Sequence, residues 1–74
     1  MQSVPYATND ALPMSVRHAL PHHAQDIYRE AFNHAYERYG GAQDVRAHRI
    51  AWAAVKRSYE KVGGIWVSTR HPSA

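Results

Sequence analysis

Apolar residues recur with helical spacing along two long segments of the chain. Between residues 21 and 39, aromatic and aliphatic side chains occupy one half of a helical wheel, and Asp, Glu, Arg and Asn occupy the other half. Between residues 44 and 62 the apolar face is broader and the remaining sector is charged. A Gly-Gly pair follows each segment, at residues 40–41 and 63–64, and glycine readily takes the left-handed conformation that ends a helix. The pattern therefore predicts two amphipathic helices, over 21–39 and 44–62.

A short helix is predicted before these two. Leu12-Pro13 and Leu20-Pro21 frame the segment, and each proline suits the first position of a helix while keeping the leucine before it extended. The first helix is thereby confined to residues 13–19. Two turns are marginally stable alone in water, so we expect Leu12, Val16 and Leu20 to dock on neighbouring elements.

Both ends of the chain favour extended structure. Residues 1–11 form a polar leader in which Val4 and Tyr6 share one face of a strand. Residues 65–69 are rich in β-branched and aromatic side chains. A two-stranded ribbon that pairs the termini is the natural use of both segments, and it must lie on the helices because an isolated ribbon is weak.

The third predicted helix has two apolar stripes. Trp52 and Val55 belong to the first stripe, and Ala47, Ile50 and Ala54 form a second stripe beside it. A helix of this kind is expected to pack against two elements at once. We therefore predict that it is the central element of the fold.

Length and patterning together predict one all-α domain over residues 1–74 with a minor β element. A chain of 74 residues buries only about 60% of its unfolded surface, so its core is small and must be filled by large rings, with Trp52 contributing the largest volume. The residues predicted to build and shape this core are Leu12, Pro13, Leu20, Pro21, Ile27, Tyr28, Phe32, Tyr36, Trp52, Val55 and Tyr59.

Composition excludes several classes of protein. The chain has no cysteine, which rules out a disulfide framework, a thiolate zinc site and a cysteine nucleophile, and favours a reducing compartment. Its longest apolar run, residues 50–55, is far shorter than the roughly 20 residues of a membrane span, and the N-terminus lacks a basic-then-apolar signal. We expect a soluble cytoplasmic protein.

The six histidines do not form a predicted metal site. His18 and His22 are four residues apart, but Pro21 ends the first helix between them and spoils the convergence of two ligands. His48 lies within the apolar stripe of the third helix, where we expect its ring to bond a backbone carbonyl or a tyrosine hydroxyl. No metal and no other cofactor is predicted.

No catalytic set is recognisable either. Asp26 and Glu30 lie one turn apart, but both fall on the polar face of the second helix with Arg29 between them, which favours a solvated surface. Neither Ser15 nor Ser58 has a recognisable base and orienting group. The chain is therefore predicted not to be an enzyme.

A row of cations on the third helix is the best candidate for a binding site. The net charge is +3, and this row consists of Arg46, Arg49, Lys56 and Arg57, with Lys61 at its edge. Such a row suits an anionic partner, above all the phosphates of nucleic acid, and it is also what an ordinary solvated helix face presents.

An ordered series of short motifs runs through most of the chain. In sequence they are Leu12-Pro13, Ser15-Val16, Leu20-Pro21, the run His23 to Tyr28, the run Glu30 to Asn33, Ala47-His48, the run Ala51 to Lys56, Tyr59 and Trp66. This series, spread over residues 6–66, resembles the ChaB family. The resemblance implies a small helical domain with a minor β element that regulates ChaA, a calcium or sodium/proton antiporter. The loop around residues 40–46 is shorter than the charged insert of the better-known members.

Two functional hypotheses follow. The first is a non-enzymatic accessory module that binds a protein partner, a ChaA-like cation antiporter, on its cytoplasmic side. The alternative is a nucleic-acid-binding module that uses the basic face of the third helix. The family resemblance points this way too, because some relatives are joined to nucleic-acid-binding segments that resemble the N-terminal part of the Rho termination factor. Salt separates the two, because phosphate binding weakens steeply as ionic strength rises.

Overall fold

The computed structural model describes residues 4–40 and 44–69. They form three helices and a two-stranded antiparallel ribbon, which confirms the predicted fold class. In chain order the elements are a 3₁₀ helix Asn9–Ala11, α1 Met14–Ala19, α2 His22–Tyr39, α3 Asp44–Ser58, β1 Tyr59–Val62 and β2 Ile65–Ser68.

The first two helices begin where the prolines indicate. α1 starts directly after Pro13 and α2 directly after Pro21, each within one residue of the predicted start. α2 ends at Tyr39 because Gly40 turns to φ 84°, and its amide donates to the Tyr36 carbonyl at 2.7 Å. Gly40, the first residue of the first glycine pair, therefore ends α2 where the sequence indicates.

The predicted end of the third helix is wrong. α3 ends at Ser58, and Tyr59–Val62 form a strand that pairs with Ile65–Ser68. Gly63 and Gly64 make the two-residue turn between them, with φ values of 59° and 84°. A turn with two positive φ values matches the twist of an antiparallel hairpin, so the second glycine pair reverses the chain and does not cap a helix.

The predicted pairing of the two termini is also wrong. β2 pairs with β1, and residues 4–6 form no strand. The backbone of Tyr6 bonds instead to the side chain of Asn33 on α2: the Tyr6 amide donates to Oδ1 at 3.1 Å, and Nδ2 donates to the Tyr6 carbonyl at 2.7 Å. The Asn33 amide thus satisfies the donor and the acceptor that a neighbouring strand would satisfy. Residues 1–3 of the predicted leader and residues 70–74, which follow the predicted tail, lie outside the described residues.

α2 and α3 pack side by side and antiparallel, since Tyr39 lies near Arg46 while Tyr28 contacts Trp52. The buried residues between and around them are Leu12, Val16, Leu20, Ala24, Tyr28, Phe32, Ala35, Ala47, Ala51, Val55 and Tyr59. All are apolar or aromatic, and no polar or charged residue is buried among the described residues. Apolar and aromatic side chains therefore fill the interior of this part of the chain.

Five residues of the predicted core are not fully buried. Trp52 is only half-buried, and Tyr28 is the largest side chain with full burial. Pro13 and Pro21 are exposed, and they shape the fold through the backbone at the starts of α1 and α2. Ile27 and Tyr36 pack against the core from its edge.

Candidate protein-binding surface

Four cations of the predicted row lie exposed on α3. At 100° per residue, Arg46, Arg49, Lys56 and Arg57 fall within an arc of about 100° and span about 16 Å of the helix. Lys61 is exposed too, but it lies on β1 and not on the helix, because α3 has already ended. We call the four helical residues the basic strip.

The charge of the basic strip is not neutralised by the rest of the described chain. Arg46 lies 4.0 Å from the centre of the Tyr39 ring, a cation–π contact that leaves its charge intact. The ion pair found among residues 4–40 and 44–69 joins Arg29 to Asp26 at 3.9 Å and lies on α2. The basic strip therefore presents a positive field along one side of α3.

An open groove of about 630 Å³ runs between α2 and α3 beside this strip. Five apolar residues line it: Ile27, Ala31, Ile50, Ala53 and Ala54. Glu30 and His34 border it on α2, and Arg57 of the basic strip borders it on α3. Sequence reasoning did not name this groove as a site, although Ile50 and Ala54, two members of the predicted second apolar stripe of α3, border it.

His48 lies between two aromatic side chains. Its Nδ1 is hydrogen-bonded to the Tyr28 hydroxyl, as expected, and its Nε2 accepts a hydrogen bond from Trp52 Nε1 at 3.0 Å. An indole N–H only donates, so the neutral imidazole carries its proton on Nδ1 and donates it to the Tyr28 oxygen. Burial raises the pKa of the Tyr28 phenol to about 12, with a smaller contribution from Tyr6. This arrangement joins α2 to α3 and leaves the Tyr28 phenol protonated at neutral pH.

The aromatic series forms one connected cluster. Trp52 stands edge-on to Tyr28 at 5.5 Å between ring centres and lies 5.6 Å from Trp66 of β2. Tyr6 and Phe32 are 4.9 Å apart and, with Val45 and His48, line a second hollow of about 290 Å³. The cluster holds the ribbon and the leader against the helices.

Asp26 and Glu30, two of the acidic residues of α2, have different surroundings. Asp26 accepts a hydrogen bond from Asn9 Nδ2 at 2.6 Å, and Asn9 Oδ1 accepts one from Arg29 Nε at 2.7 Å. The bond from Asn9 lowers the pKa of the Asp26 carboxyl, and His22 and Arg29 act in the same direction against the effect of burial. Asp26 therefore ties the leader to α2, whereas Glu30 is exposed at the groove.

Other candidate positions are dispersed. His18 and His22 are both exposed, and within residues 4–40 and 44–69 no three His, Asp or Glu side chains converge as metal ligands would. In the same part of the chain, no helix has the length and apolar character needed to cross a membrane.

These features define a class: a small three-helix module with an antiparallel ribbon, an apolar interior and a grooved, basic exterior. The profile of the ChaB family matches residues 12–69, and the chain therefore belongs to the ChaB family.

Two relatives carry the same descriptive name. The protein of Escherichia coli (strain K12) named "Putative cation transport regulator ChaB" is 52% identical over 66 residues, covering 78% of this chain and 87% of that protein. The protein of the same name from Shigella flexneri is similar to the same extent, 52% over 66 residues with 78% and 87% covered.

A solved structure agrees with the fold. The structure titled "NMR solution structure of the putative cation transport regulator ChaB" matches with a TM-score of 0.78 and 44% identity, and covers 89% of this chain and 100% of that chain. The names of these relatives support a regulatory role.

Proposed function

We propose that this protein is a non-enzymatic accessory module that regulates a cation antiporter, of the calcium or sodium/proton type, by binding it from the cytoplasmic side. The observation that carries the proposal is the pairing of the basic strip with the apolar groove on a chain whose relatives are named cation transport regulators. The effect on transport comes from surface complementarity.

The composition of the protein's surface supports this proposal. Arginine and aromatic side chains dominate the energies of protein interfaces, and the surface combines exposed arginines with half-buried Trp52 and Trp66. Tyr6 and the exposed Pro13 and Pro21 of the Leu-Pro segments are further candidates for contact. Arg49 and Arg57 are the residues we expect to contribute most, because they are exposed and have no acidic partner among the described residues.

A transport assay tests the proposal. The ChaA-like antiporter of the same organism is reconstituted in proteoliposomes, and cation-driven proton movement is followed with and without this protein. We expect the antiport rate to change at least about twofold, and Arg49→Gln with Arg57→Gln to abolish most of that change. Arg38→Gln is the control, because Arg38 is also exposed but lies on α2, outside the basic strip. An unchanged antiport rate would contradict the proposal.

Nucleic-acid binding is the second candidate, and the basic strip is the observation that favours it. Four cations along about 16 Å of helix match the spacing of several backbone phosphates. No base-reading motif is recognisable, so contacts would be made mainly to phosphates and would be insensitive to sequence.

A further inference from the structure

We propose that the groove between α2 and α3 receives an amphipathic helix of the protein partner, with the acidic edge of that helix along α3. The inference rests on the proposed function for the existence of a partner, and it adds where the partner binds and what its binding segment looks like. The floor of the groove, its length and the opposite charges of its two borders carry the argument.

The floor suits the close approach of a helix. Ala31, Ala53 and Ala54 carry the smallest side chains that still favour a helix, so bulky side chains of an incoming helix can reach between α2 and α3. Ile27 and Ile50 are half-buried and supply the larger apolar contacts. Burial of these apolar surfaces is the driving force for docking.

The length of the groove defines the size of the occupant. On α2 the lining residues extend from Ile27 to His34, and on α3 they extend from Ile50 to Arg57. Each stretch rises about 10 Å, which is two turns of helix. An incoming helix therefore contacts the groove through apolar residues at positions i, i+3, i+4 and i+7, the pattern of helix-in-groove recognition.

The two borders differ in charge, and this selects the partner. Arg57 lines the α3 side with Arg49 and Lys56 beyond it, whereas exposed Glu30 lines the α2 side together with His34. Acidic residues along one edge of the incoming helix complement α3, and opposed charges of this kind fix the direction in which a helix lies. A nucleic acid complements the basic strip but not the apolar floor or Glu30, so the groove favours a protein helix.

The test uses a designed peptide and the intact protein. The probe is a fluorescent 16-residue helical peptide with four leucines at the contact positions and glutamates along one edge, and the comparison peptide has lysines in place of those glutamates. We expect the acidic peptide to bind at least about tenfold more tightly at low salt. We also expect amide shifts to concentrate at Ile27, Ala31, Ile50 and Ala54.

Two matched variants separate docking in the groove from general charge effects. Ala53→Glu places a carboxylate on the exposed floor and should weaken binding of the acidic peptide at least about tenfold. Val45→Glu makes the same change of charge on the same helix, at an exposed residue outside the groove, and should leave the affinity within about threefold. Circular dichroism and melting of both variants establish that they remain folded.

Several outcomes overturn the proposal. Equal or tighter binding of the lysine peptide, no binding of either peptide, or an equal loss of affinity in both variants excludes an acidic helix in the groove. Self-association of the protein that Ala53→Glu abolishes assigns the groove to a second copy, and DNA-induced shifts at the floor residues assign it to nucleic acid. If Ala53→Glu still changes the antiport rate as the unmodified protein does, the groove proposal fails while the proposed function stands. If the unmodified protein leaves the antiport rate unchanged but binds the acidic peptide, the proposed function fails while the groove proposal stands.

Discussion

Tyr28 of α2 is hydrogen-bonded through its hydroxyl to Nδ1 of His48, which lies on α3. Tyr28 is fully buried and His48 is exposed, so the bond runs from the core to the surface across the main helix–helix contact. Trp52 Nε1 donates a hydrogen bond to Nε2, the other ring nitrogen of His48, and this bond determines that Nδ1 carries the proton of the neutral ring. One side-chain network thereby sets the relative position of the two long helices.

The first prediction concerns this bond. Tyr28→Phe keeps the buried ring and removes the hydroxyl, while exposed His48 can turn its freed Nδ1 to water. We expect the free energy of unfolding to fall by about 0.5–1.5 kcal/mol, measured by chemical denaturation. His48→Ala should cost less in the Tyr28→Phe background than in the unmodified protein, because the bond to the Tyr28 hydroxyl is already absent there and the contacts of His48 with Trp52 remain to be lost. A fully additive pair of losses would show that the two side chains are uncoupled.

The second prediction concerns alkaline pH. Burial raises the pKa of Tyr28 from 10.0 to about 12, so in that interval the unfolded chain has released a proton that the folded chain retains. Because the folded state then binds more protons, the free energy of unfolding must fall as pH rises from about 10 to about 12, and the full contribution is present below pH 10. Denaturation curves between pH 9 and 12 measure this slope, and Tyr28→Phe should have a shallower slope than the unmodified protein. Identical slopes would contradict the assignment.

The third prediction compares two aromatic side chains of the cluster. Trp52 is half-buried and contacts Tyr28, His48 and Trp66, whereas Tyr28 is fully buried. Full removal of a large buried ring costs about 3–5 kcal/mol, so Tyr28→Ala should fall in that range and Trp52→Ala should cost less, about 2–3 kcal/mol. Thermal melting of the two variants checks the order, and a larger loss for Trp52→Ala would contradict it.

The fourth prediction concerns the hairpin turn. Gly63 and Gly64 have φ values of 59° and 84°, and a Cβ atom at either position would meet open space. The cost of a side chain therefore arises from the backbone alone, and Gly64→Ala should destabilise the protein by about 1–2 kcal/mol. Gly63→Asn is the control, because Asn-Gly is favoured in such turns and should be close to neutral. Melting temperatures of the two variants measure the difference, and equal losses would contradict a turn of this type.

The fifth prediction tests the alternative function. If the four cations of the basic strip each neutralise one phosphate, log affinity for duplex DNA should fall with log salt at a slope near −3.6, from about −0.9 for each contact. Titrations at about 50 and 200 mM salt measure this slope, and Arg49→Gln should reduce it by about one contact. An absence of amide shifts on α3 at low salt would exclude nucleic acid as the partner.

Local patterns in the sequence determined the helices. The prolines before α1 and α2 and the first glycine of the pair after α2 are short-range signals, and each marks a helix boundary within one residue of its predicted place. The apolar periodicity also predicted the start of α3 at Asp44, although it placed the end of that helix four residues too late. The basic strip followed from the same periodicity. Only Lys61 was misplaced, because its position depended on where α3 ends.

The ribbon could not be assigned from those patterns. Tyr59 and Val62 continue the helical spacing of α3 and also suit a strand, so the sequence left two structures open for residues 59–62. The structure forms a hairpin there: Gly63 and Gly64 take the two positive φ values of its turn, and Trp66 of β2 packs against Trp52 of α3. Likewise, two hydrogen bonds to Asn33, 27 residues away, decide the path of Tyr6, and no local pattern indicates them.

The sequence by itself determined two amphipathic helices, a short helix before them, an apolar core and a row of cations, because the spacing of side chains along a helix is a property of neighbouring residues. Tertiary structure alone decided that the second apolar stripe of α3 borders an open groove, with Glu30 on one side and Arg57 on the other. Whether an apolar stripe is covered depends on where distant segments lie, and burial is a sum over contacts that chain neighbours do not specify.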